Sequence, residues 1–146
     1  MKVFAIDPGD TQSAYLQWED GHILDMAILP NDELLSILRL GVGIGTDYVV
    51  EGIASYGMPV GKTVFETCYM IGRILEITGA TIVYRKDIKM HLCGTTRAKD
   101  SNIRQALIDR FGEPGTKKAP GLLYGVKKDI WSALAITMYY IDVVNP

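Results

Sequence analysis

Two acidic residues of this chain each close a short apolar stretch. Asp7 follows the apolar residues 3–6, and Glu51 follows residues 48–50. Such stretches are typical of buried strands, and neighbouring strands lie about 4.8 Å apart. Carboxylates at one level of two adjacent strands repel each other unless a divalent cation neutralises them. The pair therefore predicts a site for a hard cation, although each acid alone could cap a turn or face solvent.

A third acid, Asp129, stands where the last predicted helix begins. An acid at a helix start is favoured by the helix dipole, so this one also has a purely structural explanation. The three acids in order are more informative than any one of them. Their oxygen ligands suit Mg²⁺ or Mn²⁺, and Cys68 and Cys93 lack the spacing of a zinc site or a disulfide scaffold. We expect both cysteines to be buried thiols.

Composition permits a nucleic-acid partner without demanding one. The net charge is -2 over 146 residues, but charge distribution decides phosphate binding, not the total. Basic residues are concentrated in the second half: Arg85, Lys86, Lys89, Arg97, Lys99, Arg104, Arg110, Lys117, Lys118, Lys127 and Lys128. No apolar run approaches the roughly 20 residues of a membrane span, and Asp7 interrupts the first apolar run before a signal peptide could form. We expect no membrane association and a cytoplasmic protein.

The pattern of turns and apolar residues predicts one α/β domain over residues 1–146. Strands are predicted at 2–7, 11–18, 22–29, 46–51 and 80–84, and the Asp-Gly pair at 20–21 indicates a hairpin. Helices are predicted from 31 or 32 to 40, and at 63–78, 87–92, 99–111 and 128–143, with loops at 52–61 and 113–125. The second helix should direct Val64, Cys68, Ile71, Leu75 and Thr78 inward. This order predicts a mixed five-stranded sheet, three antiparallel strands followed by parallel ones, with helices on both faces.

Three motifs in this order resemble one family. Asp-Pro-Gly at residues 7–9, the acid at Glu51 and the run Asp-x-x-Ser-Ala-Leu-Ala from Asp129 resemble the RuvC-type Holliday-junction resolvases of the RNase H-like superfamily, in particular phage-encoded members. The resemblance covers nearly the whole chain. It implies an RNase H-like fold and a homodimer that hydrolyses phosphodiesters in four-way or branched DNA. It also implies that Asp7, Glu51 and Asp129 are catalytic and hold Mg²⁺ or Mn²⁺, with two ions about 3.5–4 Å apart.

The sequence departs from that family at one ligand position. The family commonly has a fourth carboxylate three residues after the helix acid, and this chain has Ser132 there. A hydroxyl binds a cation more weakly and adds no charge. Either three acids suffice or Asp10 or Asp100 helps, and we favour the first interpretation.

The resemblance extends to residues that would contact DNA. The stretch 88–100 resembles the family's basic, glycine-containing segment, which implies phosphate contacts by Lys89, Arg97 and Lys99, with Lys99 near the scissile group as a further catalytic residue. We also predict nucleic-acid contacts for Lys62 and for Tyr56, whose ring could stack on an unpaired base. The alternatives are a solvated basic surface and a tyrosine that packs on its own domain.

Three other functions are compatible with the sequence. The segment 7–11 also resembles the first phosphate loop of actin-like and sugar-kinase-like nucleotide-binding proteins, which close two such domains over a nucleotide. A DNA-binding scaffold would keep the fold and lose catalysis, with Ser132 as the mark of lost metal affinity. A nuclease of RNA strands or of other branched DNA would keep the chemistry and change the substrate.

Overall fold

A five-stranded mixed sheet lies at the centre of the computed structural model, which describes all residues, Met1–Pro146. The sheet order is β3-β2-β1-β4-β5. The β2 strand pairs antiparallel with both β1 and β3, whereas β4 pairs parallel with β1 and β5. The predicted sheet architecture is therefore confirmed. The strands are β1 (Lys2–Asp7), β2 (Gln12–Glu19), β3 (His22–Pro30), β4 (Thr46–Gly52) and β5 (Thr81–Tyr84).

Helices cover both faces of the sheet, as predicted. Two of them, α1 (Asn31–Leu40) and α2 (Lys62–Thr78), pack on one face. The other face is covered by α3 (Arg85–Cys93), α4 (Asp100–Phe111) and α5 (Ile130–Tyr139), and α5 continues into a π-helical turn, Tyr140–Val144. The second face is called the α5 face below. None of these helices combines the length and the apolar composition that crossing a membrane requires.

Alternation along the strands decides which residues meet α5. Val3 and Ala5 of β1 belong to the core on the α5 face, whereas Phe4 and Ile6 belong to the core under α1 and α2. Because successive side chains of a strand point to opposite faces, Asp7 continues the set that faces α5. The same parity holds in β4, where Val49 lies in the α5-face core and Glu51 comes two residues later.

The inward face predicted for α2 was right in part: Ile71 is buried and Leu75 packs against the core, but Cys68 is exposed. The buried residues of α2 are Met70, Ile71 and Ile74, which pack on the same core as β1 and β4. Apolar residues occur around most of this helix, so spacing alone did not fix its rotation about its axis. Cys68 is consequently exposed and Cys93 half-buried, which also corrects the expectation of two buried thiols.

Candidate active site

The first two acids lie level with each other at one edge of the sheet. Ile6 of β1 is paired with Val50 of β4 in the parallel register, so Asp7 and Glu51 are the next residues on adjacent strands. The turn after Asp7 requires glycine, because a Cβ at Gly9 would overlap the backbone oxygen of Gln12. The local sequence therefore ends β1 at the acid.

The start of α5 brings the third acid to the same place. Asp129 precedes the first residue of α5, and its side chain makes no capping hydrogen bond. The residue before it, Lys128, has a φ of 48°, a left-handed conformation that is unfavourable for a non-glycine residue and is found most often at functional sites. Ser132 lies one turn further on, close enough to Asp7 for its hydroxyl to lower the pKa of that acid. The carboxylate of Asp129 is thus available for another role.

Asp7 carries the clearest electrostatic mark of a functional site. Burial, together with the charges of Glu51 and Asp129, raises its pKa from 3.8 to about 8, against the opposing effects of Arg85 and Ser132. Three acids therefore lie close enough for Asp7 to sense both of the others. A carboxyl group held in this way is costly to ionise unless a cation accompanies it.

Glu51 is held by a single arginine. Its side chain is only 16% exposed, and its Oε1 atom lies 3.5 Å from Nη1 of Arg85. The contact is an ion pair and not a hydrogen bond, because no donor is hydrogen-bonded to the buried Oε1 atom. Burial raises the pKa of Glu51, and Arg85 opposes that effect. The same guanidinium forms a second ion pair with Asp100, at the start of α4.

The carboxylates of the site are chemically suited to a hard divalent cation, but their side chains are not arranged around one. Carboxylate oxygens are the ligands that Mg²⁺ and Mn²⁺ prefer, and the buried Oε1 of Glu51 lacks a donor. However, no three or more His, Cys, Asp or Glu side chains stand together in a geometry that could hold a metal ion. Because Arg85 contacts Glu51, a cation bound at Glu51 would lie beside this guanidinium and be repelled by it.

Two clefts meet at Arg85. One encloses about 180 Å³ and contains both acidic and basic groups, with its wall formed by Arg85, Asp100, Ile103, Arg104, Lys128, Asp129, Trp131 and Ser132. We call it the acidic cleft. The other encloses about 350 Å³ and is lined by Tyr56, Arg85, Lys86, Lys89 and Thr96. We call it the basic cleft. A phosphate bound between them would contact cationic side chains on one side and carboxylates on the other.

The remaining predicted DNA contacts are scattered. Tyr56 and Lys89 line the basic cleft together, but Arg97 and Lys99 are exposed and line neither cleft. Lys99 is the residue before α4, and its backbone N–H donates to the side chain of Asn102 at 2.9 Å. Lys62 is exposed and pairs with Glu66 at 3.5 Å.

Of the two acids considered as a fourth ligand, only Asp100 lies in the acidic cleft. Asp10 lines a different, larger cleft of about 410 Å³ beside α2, together with Asp32, Glu66 and Arg73. Arg73 pairs there with Asp32 at 4.0 Å, and none of Asp7, Glu51 and Asp129 lines that cleft. Size alone therefore does not identify the site.

Arg85 is the functional candidate that sequence reasoning missed. Val83 of β5 is paired with Glu51, and Arg85 comes two residues later at the same edge of the sheet. The α3 helix begins at Arg85 directly after β5, two residues earlier than predicted. A register drawn from Glu51 across to β5 would have placed this arginine beside the acids.

Comparison with solved structures identifies the fold. A structure of Thermus thermophilus RuvC matches with a TM-score of 0.64 and 18% identity, over 97% of this chain and 95% of that one. T. thermophilus RuvC in complex with a Holliday junction substrate matches with a TM-score of 0.70 and 16% identity, over 97% of this chain and 93% of that one. The chain has the RuvC fold.

Comparison of the sequence with family models and with curated proteins gives no match. At these identities the structural match establishes the fold, and function has to be argued from the site. The observations for that argument are Asp7 with its two neighbouring acids and the basic cleft beside them.

Proposed function

We propose that this protein is a divalent-metal-dependent endonuclease that resolves four-way or branched DNA. The observation that carries the proposal is Asp7, a half-buried carboxyl group that senses Glu51 and Asp129 at the edge of a RuvC-like sheet. The basic cleft beside it is suited to the DNA backbone. The structural match to a RuvC solved with a Holliday junction substrate supports the choice of substrate.

In this proposal Asp7, Glu51 and Asp129 hold Mg²⁺ or Mn²⁺, two ions per site. Such ions supply an activated water on one side of the phosphate and charge stabilisation for the leaving oxygen on the other. Asp7 has to lose its proton to bind a cation, because its pKa is about 8. The Ser132 hydroxyl, which lowers the pKa of Asp7, would help to orient that carboxylate on the ion.

The basic side chains of the site position the DNA. Lys86 and Lys89 line the basic cleft, where Tyr56 presents its ring. Lysines bind phosphates as point charges without reading sequence, whereas an aromatic ring can stack on an unpaired base. We retain Lys99, which precedes α4, as a proposed contact close to the scissile phosphate.

Two further predicted contacts would lie outside the clefts. Arg97 is exposed on the segment between α3 and α4, and Lys62 is exposed where α2 begins. We keep both as proposed contacts to more distant parts of a branched substrate. A DNA substrate also leads us to expect the protein in the cytoplasm.

The homodimer is also a proposal, and we place its interface on the outer face of α2. Phe65 and Tyr69 are 50% and 69% exposed, and with Gly72 they recur every three or four residues, on one face of the helix. A second copy would cover this apolar face, and a two-fold dimer matches a four-way junction that presents two equivalent strands. Light scattering should show a dimer that Tyr69→Glu dissociates and that Tyr124→Glu, at an exposed tyrosine elsewhere, leaves intact.

Cleavage of a labelled four-way junction tests the proposal. We expect the wild type to cut it symmetrically with Mg²⁺, and Asp7→Asn and Glu51→Gln to bind the junction without cutting it. Asp10→Asn is the matched control for the first variant, because Asp10 lies on the same turn but lines another cleft. Glu19→Gln, at a residue that pairs with Lys2, is the control for the second.

Several outcomes would contradict this assignment. Equal cutting by either active-site variant would mean that the wrong acids have been chosen. Cutting confined to an RNA–DNA hybrid, with the junction intact, would replace the resolvase with an RNA-strand nuclease.

A DNA-binding scaffold is the second candidate. Ser132 stands where RuvC-type resolvases commonly have a fourth carboxylate, and the acids are not arranged around a cation. Titration with Mn²⁺ by calorimetry separates the two functions. A scaffold would show no Mn²⁺ binding that Asp7→Asn abolishes, whereas a nuclease would.

A further inference from the structure

Arg85 stands where a cation is needed. It is the only basic residue that forms an ion pair with Glu51, at 3.5 Å, and neither Asp7 nor Asp129 has such a partner. Its side chain is 29% exposed, whereas that of its other partner, Asp100, is 87% exposed. The guanidinium therefore has a buried acid on one side and a solvated acid on the other.

A divalent cation and Arg85 would compete for the same buried carboxylate, because two positive charges beside it repel each other. Oε1 of Glu51 is the buried carboxylate oxygen nearest to the guanidinium, and it has no hydrogen-bond partner. A guanidinium stays charged at any pH that a folded protein survives. Arg85 therefore cannot yield to a cation by losing a proton, and it has to move.

The structure offers Arg85 a second position. The residue lines both the acidic and the basic cleft, and its ion pair with Asp100 does not depend on Glu51. From Asp100 the guanidinium can turn toward Lys86 and Lys89, where a DNA phosphate would replace Glu51 as its partner. A planar guanidinium can bind a phosphate through two hydrogen bonds at once.

We propose that Arg85 is a built-in counter-ion that competes with a divalent cation for Glu51 and, once displaced, binds the DNA phosphate in the basic cleft. The inference rests on the proposed function. It adds a residue that links cation binding to DNA binding. Before the cation arrives, Arg85 neutralises the buried acid. Afterwards it contributes its charge to the substrate.

Calorimetric titration with Mn²⁺ tests the first half. We expect Arg85→Gln to bind Mn²⁺ about tenfold more tightly than the wild type, because the competitor is gone. Arg104→Gln is the matched control, since Arg104 lines the same cleft, stacks on Trp131 at 5.3 Å and touches no acid of the site. We expect the Mn²⁺ affinity of Arg104→Gln to rise by less than about threefold. Equal gains in both variants, or weaker binding by Arg85→Gln, would overturn the inference.

Junction binding in Ca²⁺ or EDTA tests the second half. Arg85→Gln should lower junction affinity about tenfold in Ca²⁺ and leave it nearly unchanged in EDTA, where Glu51 still holds the arginine in the wild type. The same loss in both conditions would mean that Arg85 binds DNA irrespective of the cation. Arg85→Lys keeps the charge but cannot bridge two partners, and it serves as a control for misfolding. Its junction affinity in Ca²⁺ should lie between those of the wild type and Arg85→Gln.

Different results would contradict the proposed nuclease function and the proposed role of Arg85. A wild type that binds no Mn²⁺ and cuts no junction would remove both the nuclease and the counter-ion. A wild type that binds Mn²⁺ and cuts, with an Arg85→Gln variant unchanged in Mn²⁺ and DNA affinity, would remove only the counter-ion.

Discussion

Replacing Asp7 with asparagine should stabilise the protein in the absence of divalent cations. Burial and the two neighbouring acids raise the pKa of Asp7 from 3.8 to about 8. The folded chain therefore holds this proton more tightly than the unfolded chain does. A group with a raised pKa contributes most to the free energy of unfolding at a pH below its pKa in the unfolded chain. That contribution is lost as pH rises from about 4 to about 8. An uncharged asparagine avoids that loss.

The size of the effect follows from the shift. The ordinary pKa of this carboxyl group, which applies to the unfolded chain, is 3.8, so pH 7 lies about 3 pH units above it. Each of these units lowers the free energy of unfolding by about 1.36 kcal/mol. The loss at pH 7 is therefore about 4 kcal/mol. Movement of Arg85 toward the ionised carboxylate and entry of water reduce it, so Asp7→Asn should gain about 2–4 kcal/mol. At about 2–4 °C per kcal/mol, this raises the Tm by about 4–16 °C.

Urea unfolding in EDTA at several pH values measures this gain. The advantage of Asp7→Asn over the wild type should be small near pH 4 and grow toward pH 8, whereas Asp10→Asn serves as the control from the same turn. In Mn²⁺ the order should reverse, because a bound cation stabilises only the protein that can bind it. An Asp7→Asn variant less stable than the wild type in EDTA at pH 8 would refute the reasoning.

Four further predictions concern the cation, the DNA and the core. Mn²⁺ affinity measured by calorimetry should fall up to about tenfold per pH unit below pH 8, because Asp7 must lose a proton to bind the ion. Ser132→Asp should tighten Mn²⁺ binding and lower the Tm in EDTA, since it adds a fourth acid to a site that is already crowded. Lys89→Ala should weaken junction binding and reduce the slope of its logarithm against log salt by about one. Leu134→Ala, at a fully buried residue of α5, should cost about 2–5 kcal/mol in urea unfolding.

Each of these has a contrary outcome. Mn²⁺ affinity that is flat between pH 6 and pH 8 would show that Asp7 is not a ligand. A Ser132→Asp variant with unchanged affinity would place residue 132 outside the ligand set. An unchanged salt slope for Lys89→Ala would exclude a phosphate contact, and a loss below about 1 kcal/mol for Leu134→Ala would mean that the core repacks around the gap.

The sheet was predictable because its strands carry strong local signals. Apolar stretches ending at Asp7 and Glu51, and the turn at residues 20–21, defined four strands, and all five predicted strands agree with the structure to within one residue at each end. Alternation then determined which face each acid occupies. The arrangement of the two acids is thus encoded in local sequence.

The rest depended on information that is not local. The inward face of α2 was predicted only in part because apolar residues, including the exposed Phe65 and Tyr69, surround this helix on most sides. Arg85 was missed because its neighbours in sequence indicate an ordinary helix start, whereas its role comes from the pairing of β5 with β4. A basic residue gains such a role from the strand register, which spacing within one segment does not reveal.

The pairing of β1 with β4 has a consequence for how the protein is made. Lys2 pairs with Thr46, 44 positions later, and Asp129 follows Glu51 by another 78 positions. A ribosome must therefore complete most of the polypeptide before the three acids can meet. Nascent or partly degraded fragments would contain the same acidic side chains but could not gather them. The proposed DNA-cutting activity would thus arise only with the finished fold.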